Sequence, residues 1–146
     1  MTLEKTAAKI AVILFACVAL IQVAIAAGLA PVTIVWGGGQ TELTVGLRLA
    51  SIAAAIILLG FARIVHVRAN YPAIGKHMRI LTWMVAAYMV LNTLGNATSP
   101  SWFERYVFGA TTLVLAICTG IVASSPLGQT DEYESLDNGD TNAGAS

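Results

Sequence analysis

The side chains able to do chemistry in this chain are few, and they form one set: Trp36, Arg48 with Ser51 three residues on, Asn92 and Asn96, and Glu104 with Arg105. An arginine and a glutamate in apolar surroundings make a candidate ion pair, and hydroxyls and amides supply neutral hydrogen bonds around it. None of these residues forms a catalytic or ligand motif, so neither an enzyme nor a cofactor is expected. His66 and His77 lack a third ligand, which removes a metal site. Cys17 and Cys118 have no C-x-x-C spacing and read as small apolar fillers. Trp36-Gly37-Gly38-Gly39 lacks the strand, helix and lysine of a phosphate-cradling loop. It reads instead as a tight turn anchored by tryptophan. Asn96-Ala97-Thr98 matches the glycosylation sequon, a weak signal standing alone.

The elements that must position this set are set by hydropathy. The chain has 146 residues, 57% hydrophobic and 11% charged, with no formal net charge, and its mean hydropathy of +0.75 is far above that of a water-soluble domain. Zero net charge removes any general attraction to nucleic acid. No charge occurs between Lys9 and Glu42, between Arg79 and Glu104, or between Arg105 and Asp131. Each gap holds an apolar run of about 20 residues, the length that crosses hydrocarbon. Spans are expected at Ile10 to Ala30, Gly46 to Val65, Ile80 to Asn96 and Trp102 to Ser125. They must be helices, because backbone groups in lipid are satisfied within the segment and four spans cannot close a barrel. The expectation is all-α: a four-helix transmembrane bundle over residues 10–125, a short N-terminus over 1–9, and a disordered acidic tail over 126–146. Asp131, Glu132, Glu134, Asp137 and Asp140 stand in that tail among Gly, Asn, Ser and Thr. The second span is the weak one. From Arg48 to Arg63 it covers roughly 22 Å, against about 30 Å of hydrocarbon, so at least one of these arginines snorkels or finds a partner.

Lysine and arginine bias sets orientation. Lys5, Lys9, Arg63, Arg68, Lys76 and Arg79 flank one side, and Arg48 and Arg105 the other. Both termini are therefore expected in the cytoplasm, with the plasma membrane as the expected location. Trp36 and Trp102 then fall at the outer interface and Trp83 near the inner one. Ala24-Ile25-Ala26 also resembles a signal-peptide cleavage tripeptide. The apolar run before it is longer than such a peptide needs, and cleavage would leave three spans facing the same way.

With orientation fixed, the polar residues gather at one depth. Gln22 lies in the outer half of the first span, Arg48 and Ser51 open the second, Asn92 and Asn96 close the third, and Glu104, Thr111 and Thr112 begin the fourth. Tyr88, Asn92 and Asn96 recur every four residues and share a helix face. Intramembrane charges usually face inward and are paired; Glu104 and Glu42 are the acids at that depth, and Arg48 is expected on Glu104, which a helix start holds, whereas Glu42 sits in a Gly-rich loop. The purely structural alternative is that Ser101-Trp102-Phe103-Glu104 forms a capping box, with Glu104 reaching back to the cap amide, while Arg48 snorkels to head groups. Gly46, Ala50 and Ala54, every fourth residue, are expected to let a neighbouring helix approach closely. The basic connection from Arg63 to Arg79 suits anionic head groups.

Trp36-Gly37-Gly38, Arg48-x-x-Ser51 and Asn96-x-x-Ser99-x-Ser101-x-x-Glu104-Arg105 together resemble a family of small four-span integral membrane proteins found widely in bacteria. The resemblance runs from about Val18 to Ser124. The chain departs from the family pattern at Phe108, where the family has tryptophan, and at Ala110, where it has proline. The resemblance implies fold and topology and points to Trp36, Arg48, Ser51, Asn96, Glu104 and Arg105, without implying an activity. The expected role is that of a non-enzymatic accessory or structural component in contact with membrane lipid and with another membrane protein or further copies of itself. The alternative is a small transporter or channel subunit acting as an oligomer.

Overall fold

The computed structural model describes residues 3–34, 40, 42–71 and 75–126. Trp36 and the acidic tail lie outside them. Four long helices are present: α1 (Leu3–Ala26), α2 (Val45–Asn70), α3 (Gly75–Thr98) and α4 (Gly109–Ser124), with a 3₁₀ turn at Val32–Ile34 and a π-helical turn at Glu104–Phe108 leading into α4. All four helices, the last counted from Glu104, are long and apolar enough to cross a membrane.

The helix ends differ from the spans drawn on hydropathy, for a physical reason. Charge limits how much of a helix lies in hydrocarbon, and it does not stop the helix. α1 begins at Leu3, with Glu4 in its first turn where a negative charge suits the helix dipole, and it runs through Lys5 and Lys9. α2 continues past Arg63 to Asn70. Its 26 residues make about 39 Å of helix at 1.5 Å per residue, so the second helix is long enough after all.

What ends each helix is explicit in the hydrogen bonds. α1 closes in a Schellman turn: Leu29 N–H reaches the Ala24 carbonyl at 2.8 Å and Gly28 N–H the Ile25 carbonyl at 2.9 Å. Gly28 takes φ +77°, which only glycine adopts at no steric cost. The last carbonyls of three helices are then met by arginines. Arg48 Nη1 donates to the Ala26 carbonyl of α1 at 3.3 Å. Arg105 donates to the Ser99 carbonyl just after α3, through Nε at 3.1 Å and Nη2 at 2.7 Å. Arg68 Nη2 donates to the Ser125 carbonyl just after α4 at 2.6 Å. A guanidinium suits such a place because it carries several donors and a positive charge next to the negative end of the dipole.

The helices pack as two hairpins, α1 with α2 and α3 with α4, joined chiefly through α1 and α4; α2 and α3 touch only sparsely. The buried face of α1 runs Ala7, Ala8, Ala11, Phe15, Ala19, Gln22 and Ile25, at the three-and-four spacing of one helical stripe. At the end holding Lys5, its alanines meet Ala62, Val65 and Ala69 of α2, Val85 and Met89 of α3, and Leu115, Cys118 and Val122 of α4 in one apolar core. Phe15, Phe61 and Tyr88 stack edge to face in a row from α1 through α2 to α3, with centroids 5.9 and 5.4 Å apart. The hydroxyls within the helices are satisfied locally: Thr82 bonds the Met78 carbonyl at 2.7 Å and Thr119 the Leu115 carbonyl at 2.6 Å.

Candidate functional site

Where α2 and α3 separate, a cavity of about 490 Å³ opens between them. Val18 and Gln22 of α1 form its back. Ala50, Ala53, Ala54, Ile57 and Leu58 of α2 make one wall, and Tyr88, Met89, Asn92 and Asn96 of α3 the facing one. Glu104, Phe108, Thr112 and Leu115 complete the lining. The mouth is sideways, since Ala53, Ile57 and Tyr88 on opposite walls are exposed.

The stripe of small residues on α2 has a different part from the one its spacing suggests. Gly46 is exposed, Ala50 and Ala54 line the cavity, and the face of α2 buried in the bundle is instead Ser51, Ala55 and Ala62. Small side chains bring helices together only where a second helix arrives; facing an absent neighbour, they leave space.

The polar groups lie at one end of this space. On α3, Tyr88, Asn92 and Asn96 share the wall, as a repeat of four requires. Asn92 Nδ2 donates to the Tyr88 carbonyl at 3.1 Å, and Asn96 Nδ2 to Thr112 Oγ1 at 3.4 Å, with Thr93 Oγ1 3.0 Å from the same threonine oxygen. The two contacts to Thr112 tie α3 to α4, while the Asn92 bond stays within α3. Gln22, opposite, falls on the stripe that is alanine and phenylalanine elsewhere along α1. It is 9% exposed, and its Oε1 is buried with no hydrogen-bond partner among the described residues. A buried amide left so is costly, and native folds rarely keep one without reason.

Glu104 is 7% exposed and accepts a hydrogen bond from Ser99 Oγ. Ser99 Oγ in turn accepts the Ser101 N–H at 3.1 Å, and Ser101 Oγ lies 3.4 Å from the Glu104 N–H. The capping box expected at this helix start is therefore closed through a third residue. Glu104 reaches the cap amide by way of the Ser99 hydroxyl, which the four-residue pattern does not contain. Immediately after the cap the backbone widens into the π turn, with the Gly109 N–H bonded to the Glu104 carbonyl. Such wide turns recur at functional sites.

The expected cluster is thus divided. Asn92, Asn96 and Glu104 come together on the cavity, joined by Gln22 and Thr112. Arg48 and Arg105 do not line it: both are exposed, and each is taken up by the end of a helix. Of the expected Arg48 to Glu104 pair, each member has another partner, the Ala26 carbonyl for one and Ser99 for the other. Ser51 is fully buried away from the cavity lining, and Trp36 falls outside the described residues. Trp102 is exposed and tilted against Tyr106 at 5.7 Å. Sequence reasoning placed Gln22 at the right depth and left it out of the set. Its signal is there, a polar residue on a stripe otherwise reserved for alanine and large apolar side chains. Arg68, read only as topological charge, is 2% exposed and structural.

Among the described residues no group of three or more His, Cys, Asp or Glu side chains is placed to hold a metal ion. No family model matches the chain, and neither a curated protein nor a solved structure matches it.

Proposed function

We propose that this chain is a multi-pass integral membrane protein of the cell membrane, with both termini cytoplasmic, acting as a non-enzymatic accessory component alongside another membrane protein. The observation that carries the membrane reading is the outward face of the helices. Leu20 is 68% exposed, Ile56 65%, Leu91 66% and Ile117 56%, so aliphatic side chains ring the bundle. A surface of that extent is unstable in water and ordinary in lipid. Orientation follows from the lysines and arginines at the end where α1 begins and α2 finishes. The accessory role is supported by the breadth of that aliphatic surface over all four helices, against which a neighbouring membrane protein can pack.

A transporter or channel subunit is the less supported reading. Passage through the bundle needs polar groups in both halves, and beyond the Phe15, Phe61 and Tyr88 row the described interior is Ala11, Val65 and Val122, with the buried hydroxyls of Thr82 and Thr119 bonded to carbonyls of their own helices. Native-membrane crosslinking tests the proposal: one reproducible partner is expected, and recovery of the protein alone would count against it. Reporters fused after Ser146 and inserted near Gly38 are expected on opposite sides of the membrane; a shared side would defeat the topology.

A further inference from the structure

The cleft between α2 and α3 has the features of a site for a small amphipathic molecule. Its volume of about 490 Å³ lies in the usual range of ligand pockets, about 300 to 1,000 Å³. One turn of a helix about 10 Å across would fill roughly 420 Å³, so a partner's spanning helix cannot lie inside it. A head group and the first part of a chain can.

The chemistry of the lining narrows the occupant. The inner walls are apolar, from Val18, Ala54, Leu58 and Met89, while the polar end holds Gln22, Asn92, Asn96, Glu104 and Thr112 and no lysine or arginine. Gln22 Oε1 is a buried acceptor without a partner among the described residues. Asn92 and Asn96, also in the lining, each spend an Nδ2 donor on a carbonyl or hydroxyl of the protein, and an amide so engaged still has its oxygen as an acceptor. A carboxylate, Glu104, stands at the same end. The unpartnered Gln22 acceptor calls for a donor, and the negative charge of Glu104 beside it, with its own protein partners kept, favours a cationic donor over a neutral one.

We propose that the cleft binds a membrane amphiphile with a primary ammonium head, which enters sideways between α2 and α3. The ammonium donates to Glu104 and to Gln22 Oε1, and the chain runs past Ala53 and Ile57 toward the hydrocarbon. The proposal rests on the membrane reading above.

A matched series tests it: oleylamine, oleyl alcohol and oleic acid share one chain and differ only in the head. Each is titrated into the full chain in neutral detergent, with bound molecules counted by native mass spectrometry and binding followed by thermal shift. One saturable site is expected, with the amine held about tenfold tighter than the alcohol, a difference of one charge-assisted hydrogen bond, and no saturable uptake of the acid. Glu104→Gln should bring the amine down to the level of the alcohol. Gln22→Leu should weaken both. Ala53→Phe fills the exposed mouth without touching the core, so it should abolish binding while the protein stays folded, and this variant decides the matter if Glu104→Gln fails to fold. Equal uptake of all three heads, or amine binding unchanged in both Gln22→Leu and Ala53→Phe, overturns the proposal. So does a crosslink from the cleft wall that goes only to another protein. Extraction of the protein by alkaline carbonate would instead defeat the membrane reading, and a chain that resists carbonate yet binds none of the series defeats the ligand alone.

Discussion

The two ends of the bundle use similar residues on α1 and α2 and reach opposite results. At the end of Lys5, alanines at positions 7, 8 and 11 join Ala62 and Ala69 in one apolar core that all four helices share. At the end of Gln22, alanines at positions 50, 53 and 54 face across to α3 and leave a cavity. The difference lies in the neighbour. α1 has α2 on one side and α4 on the other, whereas α2 has α1 and only sparse contact with α3. A small residue therefore makes close packing or a void according to whether a second helix is driven against it. The contacts at the closed end are those of Phe15 on Phe61 and of Val65 and Val122 in the shared core; at the open end the amides of Asn92 and Asn96 engage α3 and α4 and do nothing for α2.

Substitutions can break this comparison at either end. The largest loss is expected at Arg68, since Arg68→Ala removes a buried guanidinium and leaves the end of α4 without its donor, and should cost about 3 kcal/mol, with lysine restoring less than half. Unfolding by sodium dodecyl sulfate from mixed micelles measures it, and a loss near zero would mean that the closed end does not depend on that capture. Ala11→Leu, at a position with no exposure, should destabilise by about 2 kcal/mol through overpacking. Ala53→Leu on the open wall should change the same measurement little; equal costs would erase the contrast between the two ends. Ser99→Ala removes the hydroxyl linking the Ser101 amide to Glu104 and should cost about 1 kcal/mol. Arg48→Ala should be mildest, about 0.5 kcal/mol, because its single bond to the end of α1 is long and exposed. Combined with Glu104→Gln, its effect should add to within about 0.5 kcal/mol; strong coupling would restore the direct pair that the sequence suggests.

The four helices were legible because apolar runs of spanning length admit few other readings, and the shared depth of Gln22, Asn92, Asn96 and Glu104 followed from counting along those runs. Partner choice was not legible. Arg48 and Glu104 lie at matching depth, but depth says nothing of azimuth, and a carbonyl at the end of a helix competes for a guanidinium as well as a carboxylate does. Ser99 was hidden for a related reason. The cap pattern begins at Ser101, and a residue two positions before it enters only through the path of the loop. An outward-open polar cluster could be expected from depth alone, but the place of the cavity between α2 and α3 could not, since it depends on which helices fail to meet.

The wide turn at Glu104–Phe108 carries one more consequence. Each residue of an α-helix advances the chain by about 100°, and a π turn accommodates one residue more than an α turn within the same stretch. Removing a residue there would let the ordinary ladder re-form and swing everything upstream, Glu104 and its serines included, through about a quarter of a revolution relative to α4. The direction in which the carboxylate points is thus set in whole-residue steps, like the teeth of a gear, and chain length over those few positions is as strict a requirement as the identity of any side chain in them.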